Sequence, residues 1–102
     1  MQELIDRINE TYPGNFTDED RVVVRQLYER LSTDPEVAAS AHEDGPLIFA
    51  NSMFPGLFKR TLIDAFSENT EAFQSLFEDA AKYRAVMEAL AQLLLSQLGD
   101  EQ

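Results

Sequence analysis

Between Phe54 and Phe77 the large apolar residues return every three or four positions, and that periodicity constrains the fold more than any other feature of the chain. Phe54, Phe58, Leu62, Ala65, Phe66, Phe73, Leu76 and Phe77 keep one helical phase, with Asn69 in step among them. No Pro or Gly falls between Leu57 and Asp79, so the spacing predicts one helix of about six turns. Asn69-Thr70-Glu71 can also cap a new helix, which leaves a break at that point open.

The remaining segments read the same way. Leu4, Ile5, Ile8 and Tyr12 lie at helical spacing until Pro13-Gly14 stops them. The stretch Asn15-Phe16-Thr17-Asp18-Glu19-Asp20 has the chemistry of a helix start: Thr17 can accept from the amide of Asp20, and the acids fill the first turn, where the helix dipole favours them. Val23, Val24, Leu27, Tyr28 and Leu31 continue that helix. Asp34-Pro35-Glu36 opens a third, with Val37, Ala38 and Ala41 inward, ending before Gly45-Pro46. A short turn holding Leu47, Ile48 and Phe49 follows, and Ser52 can cap what comes next. The last helix carries Tyr83, Val86, Met87, Leu90 and Leu94 on one stripe and ends at Gly99. Nowhere does strand-like alternation occur. The expected fold is all-α, a compact bundle of about five helices with the last two the longest, forming a single helical domain over residues 1–102.

Composition narrows the function. A 44% apolar content supports a folded core, and the absence of cysteine removes disulfides, thiolate metal sites and cysteine nucleophiles. No signal peptide and no membrane span are read from the sequence, and a cytoplasmic location is expected. Nineteen acids against eight bases give a net charge of −11, which opposes direct nucleic-acid contact and repels anionic lipid.

No constellation of reactive residues stands out. His42-Glu43-Asp44 has metal-ligand residue types but lacks a second histidine at helical spacing. Ser40, His42 and Asp44 alternate two apart, which on a helix points them away from one another. Every acid falls where a solvated face is expected, and Lys59-Arg60 and Lys82/Arg84 are too sparse for a phosphate track. No catalytic, cofactor-binding or metal residues are assigned, and the chain is not expected to be an enzyme. The last helix holds more interest. Leu93, Leu94 and Leu95 are consecutive and span about 200° of a helix. Either the domain buries that helix on two sides, or it offers an apolar patch to a partner or a second copy. On the second reading Leu93, Leu95 and Leu98 are the interface candidates.

The order of these features resembles the C-terminal helical region of the R subunit of type I restriction enzymes, the subunit that carries the DNA-translocating motor and the nuclease. The likeness runs through Leu4-Ile5…Ile8-Asn9, Phe16-Thr17-Asp18-Glu19-Asp20-Arg21, Asp34-Pro35-Glu36, Phe49, Phe54 and Phe58. It continues through Thr70-Glu71-Ala72-Phe73…Phe77-Glu78-Asp79 to Val86. These are packing and capping positions. The resemblance implies a fragment of a larger multidomain subunit, with nuclease and ATPase chemistry, ATP and Mg belonging to the parent. It also implies docking of the motor subunit onto the methyltransferase and specificity subunits. The expected function is therefore a non-catalytic assembly domain in DNA restriction. The alternatives are an acidic DNA mimic or regulatory helical interaction protein, and an enzyme with a metal site around His42-Glu43-Asp44.

Overall fold

Each helix boundary has a local chemical cause. The structure, a computed structural model, describes residues 2–99. Helix α1 (Gln2–Thr11) ends at the Pro13-Gly14 turn. Helix α2 (Asp18–Ser32) opens with a reciprocal capping box: the Asp20 amide donates to Thr17 Oγ1 at 3.1 Å, and the Thr17 amide donates to the Asp20 carboxylate at 3.0 Å. Asp34 caps α3 (Pro35–Glu43) by accepting from the Glu36 amide at 2.9 Å, with Pro35 at the first helical position.

Gly45 separates α3 from the next run with φ +84° and ψ 160°. This backbone region is essentially confined to glycine, and nothing lies within 4 Å of where its Cβ would be. Conformation, not space, selects glycine here. The chain then runs from residue 46 to 68 without leaving helical geometry: α4 (Pro46–Ile48), a π-helical turn (Phe49–Met53) and α5 (Phe54–Glu68). The π turn ends two residues before Pro55. Proline lacks the amide to continue an α-ladder and its ring crowds the carbonyl four residues back, so a locally widened helix lets it in. Ser52, expected to cap this helix, instead lies exposed inside the π turn, and α5 has no side-chain cap because Met53 is already helical.

The long helix read across 54–79 is two helices. Asn69 leaves helical geometry (φ −149°, ψ 76°) and its side chain caps α6 (Thr70–Glu78) through the Ala72 amide at 3.4 Å. Asp79 then caps α7 (Ala80–Leu98), accepting from the amides of Ala81 and Lys82 at 3.1 Å each. With 46–68 counted as one run, there are six helices rather than about five, and no strand among the described residues. The penultimate helix is one of the shorter ones, at 9 residues, because Asn69 and Asp79 leave helical geometry at its two ends.

Helix α7 is the axis of the bundle. It packs against α1, α2, α3, α5, α6 and the π turn. Phe49, Phe54 and Phe58 pack in sequence with ring centroids 5.3 and 5.9 Å apart, and Phe58 meets Tyr83 of α7 edge-on at 5.2 Å. Leu4, Ile8, Leu27, Leu31, Leu62, Leu76, Leu90 and Leu94 complete a single core. At the far end of α7 a Cβ on Gly99 would meet the carbonyl oxygens of Leu95 and Ala41 at 2.6 and 3.0 Å, so the close approach of α3 requires glycine there. No described helix is long and apolar enough to cross a membrane.

Candidate functional site

The consecutive leucines of α7 are consumed by the bundle. Leu93 and Leu94 are 6% and 0% exposed, while Leu95 and Leu98 are half-buried and pack against the core. Leu93 therefore has almost no surface to give a partner, and Leu95 and Leu98 have little. A helix surrounded by other elements is apolar around most of its circumference, so the surplus leucines are explained by the central position of α7.

A second expectation is also corrected. Asp20 does not lie on a solvated face: it is 5% exposed, as Lys82 is at 8%. Lys82 Nζ donates to Asp20 Oδ2 at 2.9 Å, the same oxygen that accepts the Thr17 amide, and the Ser75 hydroxyl donates to Oδ1 at 3.1 Å. Beside this pair the Tyr12 hydroxyl donates to Asp79 Oδ2 at 2.5 Å, and Lys82 Nζ lies 5.7 Å from the centre of the Tyr12 ring. The network joins α2, α6 and α7, and reaches the end of α1 through Tyr12.

Its electrostatics follow from the contacts. Burial pushes the Asp20 carboxyl up, but the hydrogen bonds from Lys82, Thr17 and Ser75 outweigh burial and leave its pKa below the ordinary value. The hydrogen bond to Asp79, with burial adding to it, pushes the Tyr12 phenol up to about 12. The same bond, with the Lys82 and Ala81 amides, lowers Asp79. Among the described residues no buried side-chain nitrogen or oxygen lacks a partner. A network whose every member is satisfied internally has no group aimed at a ligand. It acts as a polar clamp between helices.

His42 and Glu43 are exposed at the end of α3, while Asp44 accepts from the Ser40 hydroxyl at 2.7 Å. No group of three or more His, Cys, Asp or Glu able to hold a metal forms among the described residues. An open groove of about 690 Å³ between α1 and α7 is lined by Glu3, Asp6, Glu10 and Glu88. Arg7 crosses it, bonded to Glu3 at 3.0 Å and Gln92 at 2.6 Å.

The unburied apolar surface lies elsewhere. Leu47 is 76% exposed, Ile48 53% and Met53 42%, all on the α4 and π turn. Residues 45–58 carry no charged side chain in a chain that is 26% charged. Met53 and Leu57 line a notch of about 240 Å³ with Glu36, Glu43 and Asp44 of the neighbouring α3. Ile63 and Phe77 are also exposed, at 46% and 43%; Phe77 lies edge-on to Phe66 at 5.0 Å. At the corner between α3 and the π turn, Met53 and Leu57 of the uncharged run thus meet an acidic rim. The sequence carried the signal as the charge-free run 45–58, whose helical phase alone does not show which side faces out.

The fold and this surface define a small all-α domain with a polar clamp in its core and an apolar corner outside. Comparison with family models, curated proteins and solved structures gives no match.

Proposed function

We propose that this chain is a non-catalytic assembly domain that joins larger proteins through an apolar face. In the form suggested by its resemblance, it is the C-terminal helical region of a type I restriction enzyme R subunit, docking the motor onto the methyltransferase and specificity subunits in the cytoplasm. The observation that carries the reading is the exposure of Leu47, Ile48 and Met53 on one uncharged segment of a protein of net charge −11. Exposed large apolar side chains cost solubility and add nothing to the core, so they point to contact with another surface. The buried polar network supports the same reading, because its groups are spent on joining helices. ATP and Mg, and the nuclease and translocation chemistry, would belong to the parent subunit.

Calorimetric titration of the chain into a type I methyltransferase–specificity complex tests this, with free duplex DNA as control. Saturable binding to the protein complex and none to DNA is expected. No heat with the complex refutes the docking role. Binding that vanishes at moderate salt would favour the acidic DNA mimic instead, since electrostatic mimicry of phosphates is strongly screened.

A further inference from the structure

Apolar surface and acidic charge meet at one corner of the molecule. Leu47, Ile48 and Met53 are exposed on the α4–π turn, and Met53 and Leu57 share a notch with Glu36, Glu43 and Asp44. Glu43 is the last residue of α3 and Asp44 its C-cap. The C-terminal end of a helix carries partial negative charge and favours cations, so two acids there work against the helix that bears them. Glu43 makes no ion pair among the described residues.

We propose that the corner formed by the C-terminal end of α3 and the α4–π turn docks a partner-protein segment that presents an apolar side chain flanked by lysine or arginine. The apolar group enters the notch beside Met53 and Leu57, and the basic groups meet Glu43 and Asp44. Charge selects this occupant. A second copy would bring the same acids against themselves on a chain of net charge −11, and nucleic acid or anionic lipid is repelled by the same field. A notch of about 240 Å³ accepts a single side chain, so the corner anchors one hot-spot residue within whatever larger contact forms. The inference deepens the assembly reading by naming the face and the chemistry of its partner.

The test uses amide NMR, which reads weak binding residue by residue, with a synthetic amphipathic helical peptide of leucine and lysine as probe. Matched leucine–glutamate and serine–lysine peptides are the controls. Saturable shifts concentrated on residues 36–57 are expected with the leucine–lysine peptide, and binding weaker by about tenfold or more with either control. Ile48→Asp and Met53→Asp should weaken binding about tenfold or more with unchanged melting temperature, since both side chains are exposed. Glu43→Lys should weaken binding while raising the melting temperature, because lysine suits that helix end. Shifts spread over the acidic helices, or variants that bind as wild type, overturn the proposal. The same variants titrated into a methyltransferase–specificity complex separate the two claims. If the complex binds wild type and all variants equally, the corner is wrong and the assembly role stands. If the peptide maps to the corner but the complex does not bind, the corner stands and the restriction assignment falls.

Discussion

Replacing Lys82 with methionine should destabilise the domain by an amount that depends on pH, and the dependence is the informative part. The substitution keeps the side-chain volume but removes the donor 2.9 Å from Asp20 Oδ2. It leaves a carboxylate that is 5% exposed with only the Thr17 amide and Ser75 hydroxyl. Removing one partner of a buried pair costs about 3–5 kcal/mol when the other stays charged. Asp20 has an escape, which is to take up a proton. One pKa unit corresponds to about 1.4 kcal/mol, so protonating an ordinary aspartate at pH 7 costs about 4 kcal/mol and at pH 5 about 1.5 kcal/mol. The loss should therefore be about 3–4 kcal/mol at pH 7 and shrink by roughly 2 kcal/mol at pH 5. Against a total stability of about 5–15 kcal/mol, that is a large fraction. Urea unfolding followed by far-UV circular dichroism at both pH values measures it. The double variant Asp20→Asn/Lys82→Met should recover much of the loss at pH 7, since no buried charge remains and the asparagine oxygen can still accept from Thr17. A loss below about 1 kcal/mol at pH 7 would match an exposed pair and refute the burial argument. An equal loss at both pH values would refute the protonation route.

Other outcomes follow from the same contacts. Wild-type stability should fall as acid titrates Asp20: its folded pKa lies below the ordinary 3.8, so its contribution is present above that value and lost as pH drops through the folded one. Tyr12, raised to about 12, behaves with the opposite sign, its contribution being full below the ordinary 10.0 and lost as pH rises through about 12. Ultraviolet titration should show a phenol titrating near pH 12 that Tyr12→Phe removes, while Tyr83, which burial also raises, stays. Gly45→Ala should cost about 1 kcal/mol or more by thermal melting, because φ +84° is strained for any residue with a Cβ. Leu93→Ala should cost about 2–4 kcal/mol, whereas Leu47→Ser should fall within about 0.5 kcal/mol of wild type, because Leu93 is buried and Leu47 exposed.

The contrast between Thr17 and Asp20 shows what could be read without coordinates. Thr17 caps by a local rule whose donor is three residues away, so residue types alone reveal it. The burial of Asp20 depends on Lys82, 62 positions further along, and no local pattern distinguishes an acid in a helical first turn that meets water from one that meets a lysine. Asn69 was ambiguous for a related reason. Its position fits both a continuous helical phase and a cap, and the choice turns on how α6 packs against α5. Periodicity placed Leu94 inward correctly, but it counts stripes on a helix, not neighbours around it, so it could not show that the helices packed around α7 also cover Leu93. For Leu47, Ile48 and Phe49 only a short turn is legible in the sequence, and the π turn at Phe49 decides the rest, with Phe49 inward and the two aliphatics out.

The claim that the α4–π corner is the working surface of this domain is tested most directly by one comparison. Wild type and Ile48→Asp would be titrated side by side into a methyltransferase–specificity complex, each checked for an unchanged melting temperature. The account predicts binding by wild type and a loss of about tenfold or more in Ile48→Asp. Equal affinity for the two proteins would contradict it.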